Sequence, residues 1–252
     1  MATKLIENVN EATWRRFAGL CKVKGVLVGN KLTEVLERYL KDEGMLMAEI
    51  YTKEQIDFLT KEHDDGMDRV KKRGDVVSYF TLDYWKKIGN YILFKKFMSE
   101  DIKTILDIGC HIGFLDILYS QWGEEERNVT AIDISKRALD YAMAHNKQYK
   151  RNIKFRLGVF ETMDFKEKYD LVILSHVIEH TYNPKIMIDK AIDLCNKRLM
   201  ILTPVGEKTN DPTHKHHWFN FTELLKIIDL NKVRVVHQEI YKKEFHLVLE
   251  KI

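Results

Sequence analysis

The last twenty residues constrain the fold more than any other stretch. Two strand-like segments, Val233–Tyr241 and Phe245–Lys251, are separated only by Lys242, Lys243 and Glu244. A connection that short can join only antiparallel neighbours. Upstream, from Lys103, the pattern is different. Apolar strand-like runs at Thr104–Ile108, Val129–Ile132, Ile153–Leu157, Leu171–Leu174 and Leu199–Leu202 alternate with helical periodicity, as in Ser135–Asn146 and Pro184–Asn196. Such alternation produces a parallel sheet. Five parallel strands closed by an antiparallel hairpin predict one α/β sheet of seven strands.

A chain of 252 residues holds one large α/β domain and something small beside it. A hydrophobic content of 45% supports a buried core. Charged residues make up 31% and the net charge is +3, which argues neither for nor against a nucleic-acid partner. Cys21, Cys110 and Cys195 are far apart and odd in number, so no disulfide framework or metal spacing is visible and a reducing, cytoplasmic setting is expected. No apolar run reaches membrane-spanning length, and no membrane partner is expected.

The loop Asp107-Ile108-Gly109-Cys110-His111-Ile112-Gly113 follows an apolar strand and opens a helix. At a switch point of a parallel sheet such a turn leaves room for a ligand against the backbone. Gly109 and Gly113 permit close approach and unusual dihedrals, with Cys110 between them, and Asp107 can accept from a ligand ammonium or through water. Alone, the loop is equally a tight strand-to-helix turn without a ligand. Asp133, followed by Ile134, ends the next strand 26 residues after Asp107. A carboxylate there can take both hydroxyls of a ribose, at roughly 1.5–3 kcal/mol per charge-assisted bond. A nicotinamide enzyme shares this pair of features, although the loop reads Asp-x-Gly-x-x-x-Gly and not Gly-x-Gly-x-x-Gly.

The segment Tyr169-Asp-Leu-Val-Ile-Leu-Ser-His-Val-Ile-Glu-His-Thr-Tyr-Asn-Pro184, taken with that loop and the closing hairpin, resembles the class I S-adenosylmethionine-dependent methyltransferases. Within them it is similar to the group that includes ubiquinone-pathway O-methyltransferases and small-RNA 3′-end methyltransferases. The likeness covers about residues 100–252. It implies a Rossmann-like seven-stranded methyltransferase sheet and S-adenosylmethionine as cofactor. It places Ser175 and His176 beside the methionine half, with Glu179 and His180 following at a helix start. Two positions depart from the family. His111 stands where a second glycine is usual, so its side chain must point away from the cofactor or narrow the pocket. Val159 replaces an aspartate that often meets the adenine, so backbone near Phe160 and Glu161 must serve.

After Thr203-Pro204 comes a polar loop with His214, His216 and His217. Related enzymes often carry a His–aromatic–Phe–Thr stretch here, near the acceptor. An imidazole near its unperturbed pKa can take a proton from a hydroxyl, which makes His217, His214 and His180 the candidate bases. The plain alternative is a solvated loop capped by Asn220 or Thr222. In the RNA 3′-end enzymes a Glu-x-x-Glu-His cluster holds a divalent ion. Here His176 replaces the first glutamate, and no metal is expected.

Residues 1–43 form a separate unit. Lys4–Val9 is an extended segment, Asn10 is a helix N-cap, Trp14, Phe17 and Cys21 recur at helical spacing, and Lys24-Gly25 stops that helix. A second helix is expected from Asn30 to Lys41. This order resembles a ribbon-helix-helix DNA-binding domain. The resemblance implies a homodimer on double-stranded DNA, with Lys4, Ile6 and Asn8 on the groove-facing side of the strand and Gly29 and Asn30 at a phosphate. Residues 1–31 carry six Lys/Arg and two Glu, a local +4. A lid or dimerisation arm is the alternative. Residues 44–100 read as a helical connector, with amphipathic segments over 51–66 and 68–72 and breaks at Gly66 and Gly74, leading into residues 101–252.

The function expected is methyl transfer from S-adenosylmethionine to an O- or N-nucleophile, associated with DNA through the N-terminal unit. The alternative is a DNA-binding regulator whose methyltransferase fold senses the cofactor without catalysis. DNA amino-methylation is excluded, because Ser175-His176-Val177-Ile178 stands where an (Asp/Asn/Ser)-Pro-Pro-(Tyr/Phe) motif is needed. Cytosine C5 methylation is excluded by the lack of a Pro-Cys pair.

Overall fold

In the computed structural model, the strand–helix alternation becomes a sheet because each strand has two faces to bury. The structure describes residues 11–25, 27–28, 31–32, 35, 51–73, 90–121, 125–206 and 213–252. The strands are β1 Thr104–Ile108, β2 Asn128–Asp133, β3 Ile153–Leu157, β4 Tyr169–Ser175, β5 Cys195–Pro204, β6 Val233–Tyr241 and β7 Glu244–Lys251. Their order is β3-β2-β1-β4-β5-β7-β6. Neighbours among β1–β5 are parallel, and β7 runs antiparallel to both β5 and β6. The seven helices among the described residues are α1 Glu11–Val23, α2 Lys53–Arg73, α3 Asn90–Phe97, α4 Phe114–Ser120, α5 Lys136–Tyr149, α6 Pro184–Leu194 and α7 Phe221–Leu225. No helix among the described residues is long and apolar enough to cross a membrane.

The central strands read as continuous apolar runs, as expected of strands covered on both sides. Alternate residues feed two cores. Leu171 and Ile173 of β4, Met200 and Leu202 of β5 and Val248 of β7 pack with Leu93 and Phe94 of α3 and with Leu115 and Tyr119 of α4. Val172, Leu174, Leu199, Ile201, Leu247 and Leu249 pack with Ile188 and Ile192 of α6 and with Leu224 of α7. Truncating one of these central aliphatics to Ala costs about 2–5 kcal/mol. Side-chain caps set three helix starts: Ser135 accepts from Ala138 N, Asn183 from Ile186 N ahead of Pro184, and Asn220 from Glu223 N.

Three boundaries differ from the sequence expectation. α2 runs unbroken through Gly66, since one glycine costs a helix only about 1 kcal/mol and Leu59 and Met67 on either side are buried. β5 starts at Cys195 as soon as α6 ends, with no loop between them. The hairpin turn is the two residues Lys242 and Lys243, at φ 47° and 69°. Both are left-handed, as a two-residue hairpin turn of this twist requires, and Glu244 already belongs to β7.

The chain divides into two compact units, Met1–Ile50 and Tyr51–Ile252. In the first, α1 spans Glu11–Val23 and Gly25 follows at φ 65°. Cys21 is buried, while Leu20 and Val23 are exposed. Lys4, Ile6, Asn8, Gly29 and Asn30 lie outside the described residues, as do the expected strand and most of the second helix.

Candidate active site

The carboxyl ends of β1, β2 and β4 open into one cavity of about 570 Å³, which lies wholly within the second unit. It sits where the strand order reverses direction between β1 and β4, the usual ligand crevice of such sheets. Of the sequence-predicted cofactor residues, Asp107, Gly109, Cys110, Asp133, Ile134, Phe160, Glu161, Ser175 and His176 line it.

The loop after β1 is fixed by backbone bonds. Gly109 N and Cys110 N donate to Ile132 O at 2.8 and 2.9 Å. Gly109 has φ 79°, and a Cβ there would lie 3.0 Å from Val177 Cγ2. Asp133 is held from two sides: His111 N donates to Oδ2 and Ser135 N to Oδ1, both at 2.7 Å. Gly113 does not line the cavity. It caps α4 at φ 70°, and a Cβ there would come within 2.8 Å of Ala142 Cβ, so it serves the packing of α4 against α5.

His111 adopts φ 52° and its ring lines the cavity. Of the two placements the sequence left open, it takes the one that narrows the pocket. Burial, and then His63, push its pKa down, and Asp133 works against them. The ring is therefore neutral near pH 7.

Beneath the loop lies a group the sequence did not single out. Asp116 of α4 is completely buried beside Asp107. Burial raises Asp107 to about 7, with the neighbouring Asp116 carboxyl opposing and the Asp133 charge adding. Asp116 is pushed well above the carboxylate range by burial and by Asp107. The Cys110 thiol is also pushed up by burial, which keeps it from acting as a thiolate.

Phe160 and Glu161 sit in a 3-10 turn. Lys190 Nζ donates to both their carbonyls at 2.9 Å, and also to Met163 O. The Glu161 carboxylate accepts from Tyr51 Oη at 2.6 Å and Thr181 Oγ1 at 2.7 Å. Its side chain thus ties the start of α2 to the cavity wall.

The opposite wall is built from histidines and glutamates. His176, at φ 54°, lies between two carboxylates: Nδ1 is 3.6 Å from Glu179 Oε1 and Nε2 is 3.4 Å from Glu244 Oε1. Burial disfavours its charge, but Glu179 and Glu244 outweigh burial and raise its pKa to about 10. Glu179, in spite of burial, is held below the usual range by His176 and His180. Its Oε2 accepts from Thr203 Oγ1 at 3.0 Å.

His180 lines the cavity, with His214 packed edge-on at 4.6 Å between ring centroids and His63 at 5.2 Å. His214 and His217 stand behind this wall, 6.2 Å apart. His216 stacks on Trp218. The histidine loop is folded against the site because Lys215 N and His216 N donate to Glu179 O at 2.7 and 3.2 Å. Among the described residues, Glu179, His180 and His214 offer ligand atoms within 4.8 Å of one another, the donor set of a metal or of a base with its orienting groups.

The roof is α2, which the sequence reading treated as a connector. Leu59, Glu62, His63, Gly66 and Met67 line the cavity. Asp64 accepts from Ser135 Oγ at 2.6 Å and Arg137 N at 3.2 Å, and Asp68 pairs with Arg137. No motif marks this segment, only its amphipathic spacing.

A family profile described as a methyltransferase domain matches residues 99–251. The ubiquinone biosynthesis O-methyltransferase of Pelagibacter ubique is 25% identical over 144 residues, 51% of this chain and 59% of that protein. Its namesake in Hydrogenovibrio crunogenus is 32% identical over 99 residues, 38% of this chain and 40% of that protein. The chain thus spans about half the length of these curated relatives. Two solved structures share the fold. A chain of the complex between the Haloferax volcanii Trm112 methyltransferase activator and the putative methyltransferase superposes with a TM-score of 0.61 at 13% identity, over 77% of this chain and 97% of that one. Magnesium protoporphyrin IX methyltransferase from Synechocystis with bound SAH gives 0.54 at 18%, over 66% and 83%. With the profile covering more than half of the chain, the protein belongs to the methyltransferase-domain family, the class I enzymes whose cofactor is S-adenosylmethionine.

Proposed function

We propose that the protein transfers the methyl group of S-adenosylmethionine to a hydroxyl acceptor bound against the histidine wall. One observation carries this reading: a single cavity joins the backbone-held Asp133 to the His180–Glu179 pair. The residues present fit the cofactor. Asp133 keeps lone pairs free for ribose hydroxyls after accepting two backbone N–H bonds, and Gly109 leaves the backbone bare where a Cβ would already crowd Val177. Asp107, Ser175 and His176 line the part assigned to the methionine half. The relatives named O-methyltransferases support an oxygen nucleophile.

When bound, the cofactor supplies a methyl already activated by its sulfonium. The chain has three tasks left: to align the acceptor, exclude water and take one proton. This reading assigns that proton to His180, which lines the cavity. Glu179 Oε1 lies 3.9 Å from His180 Nε2, and His214 packs edge-on against the His180 ring. α2 closes the cavity from above. The cationic His176 already neutralises Glu179 at 3.6 Å and would face any divalent ion bound there, so the reading uses no metal.

A labelled-cofactor assay against fractionated host extract tests this. Wild type should label a fraction, and His180→Ala should not, while still binding S-adenosylmethionine by calorimetry. Binding without transfer to any fraction would leave a cofactor sensor. The DNA-contacting role and homodimer expected of residues 1–43 rest on the local charge of +4 over residues 1–31. They predict salt-dependent binding to double-stranded DNA that weakens in Lys4→Ala.

A further inference from the structure

Methyl transfer to a neutral hydroxyl releases one proton per turnover. A cavity built to exclude water also closes that proton's ordinary exit. On the histidine wall, a second line of groups leads outward. Glu244 lines the cavity, with Oε1 toward His176. Its other oxygen, Oε2, is 3.4 Å from His246 Nε2. His246 Nδ1 is 3.6 Å from Glu239 Oε1, and His237 Nε2 is 3.1 Å from the same oxygen. The side chain of His246 is 2% exposed, whereas that of Glu239 is 44% exposed. The line therefore begins at the cavity, passes through the interior and ends in solvent.

Its geometry follows from the hairpin. Glu244 and His246 are two residues apart on β7 and share a face. Glu239 of β6 is the cross-strand partner of His246. Further along β7 the same face carries Val248, packed with Met200, Leu202 and Phe94. An aliphatic residue would suit position 246, and a buried imidazole there costs free energy unless its nitrogens are used. Here both nitrogens face carboxylates. The other groups around it are His176 from the loop after β4, Tyr241 of β6 with its ring 5.6 Å away, and Lys96 of α3, whose Nζ is 3.4 Å from His237 Nδ1.

We propose that Glu244, His246 and Glu239 form a proton exit from the acceptor cavity to the outer edge of the sheet. This rests on the methyl-transfer reading above. The balance is simple. The acceptor O–C bond forms as the C–S bond breaks, and the sulfonium becomes a neutral thioether. The acceptor's proton, taken by His180, passes to Glu179; the His176 cation gives its Nε2 proton to Glu244, shifts its remaining proton to Nε2 and is recharged at Nδ1 by Glu179. After rotation of its carboxyl group, Glu244 protonates His246 Nε2. His246 gives its Nδ1 proton to Glu239, which releases it to water, and the imidazole ring then resets its tautomer. One proton leaves per methyl and no oxidant is needed. At rest, His176 and His246 hold Glu244 below the usual carboxylate range in spite of its burial, so it is ready to receive. The 3.4 and 3.6 Å spacings need a sub-ångström closure, and such bonds often tighten only in the reacting complex.

The test uses the full chain labelled with ¹⁵N-histidine, with S-adenosylhomocysteine filling the cavity. Solvent exchange of the His176 ring N–H protons is followed by NMR. His246→Gln should slow it by an order of magnitude or more, as loss of a proton-transfer partner does. Glu239→Gln, at an exposed position that does not threaten folding, should slow it in the same direction. Exchange unchanged in both variants, with S-adenosylhomocysteine affinity retained, overturns the proposal. The measurement needs no acceptor. A working exit in a protein that labels no extract fraction would sink the methyl-transfer reading and leave the exit standing.

Discussion

The two walls of the cavity are built from different materials. The wall assigned to the cofactor is made by backbone: left-handed turns at Gly109 and His111, amide donors to Ile132 O, and one carboxylate gripped by two N–H groups. The histidine wall is made by titratable side chains from separate segments: His63 of α2, His176, Glu179 and His180 after β4, His214 from the loop after β5, and Glu244 of β7. Backbone sites hold one geometry whatever the pH. Side-chain sites can be tuned and can titrate. A constant cofactor meeting a variable acceptor would divide the work in this way.

The comparison breaks most decisively at Asp133. Asp133→Ala removes two charge-assisted ribose contacts of roughly 1.5–3 kcal/mol each. It should lower S-adenosylmethionine affinity by at least about 100-fold in calorimetry. Undiminished affinity would mean that the backbone wall does not hold the cofactor. Gly113→Ala acts on the same wall without touching the ligand. A left-handed φ of 70° and a Cβ 2.8 Å from Ala142 should cost roughly 1–3 kcal/mol in urea unfolding.

The histidine wall should reveal itself through pH. The folded pKa of His176, about 10, lies above its ordinary 6.5. Its stabilising contribution is therefore full below about pH 6.5, declines as pH rises, and is gone above about pH 10. The stability difference between wild type and His176→Gln should be about 2 kcal/mol near pH 6 and should shrink steadily toward pH 10. A difference independent of pH would remove the charge assigned to this residue.

Asp107 belongs to the backbone wall yet titrates near 7, which makes it the exception that sharpens the contrast. A cationic ligand favours the ionised carboxylate, so affinity for S-adenosylmethionine should rise several-fold from pH 6 to 8, within the about tenfold per pKa unit that linkage allows. Asp107→Asn should flatten that rise. The smallest effects belong to the roof. Asp64→Ala, which removes bonds to Ser135 Oγ and Arg137 N, should cost about 1 kcal/mol and speed release of S-adenosylhomocysteine in stopped flow. Asp68→Ala breaks only the exposed pair with Arg137 and should do less.

This contrast also explains what the sequence could show. A backbone wall leaves its trace in consecutive residues: an apolar strand, Asp107, two glycines, and then an aspartate at the next strand end. The parallel sheet and its closing hairpin were legible for the same reason, since strand period and turn length are local. The histidine wall draws on residues from 63 to 244, and no local pattern says that they meet. Glu244 looked like part of a hairpin turn, and His246 like an interruption in an apolar strand. Asp116 was hidden differently. It sits in a short helix, where an acidic residue normally marks the solvent face, and the packing of α4 puts it inside. Gly113 was read as ligand-facing because glycine serves close packing and ligand approach equally well.

One helix reaches both walls. α2 is fastened to the cofactor side through Asp64, Asp68 and, just before its start, Tyr51, and to the acceptor side through the contact of His63 with His180. Lifting it unroofs both walls together. With cofactor and acceptor bound as proposed, one opening event would serve loading and unloading alike.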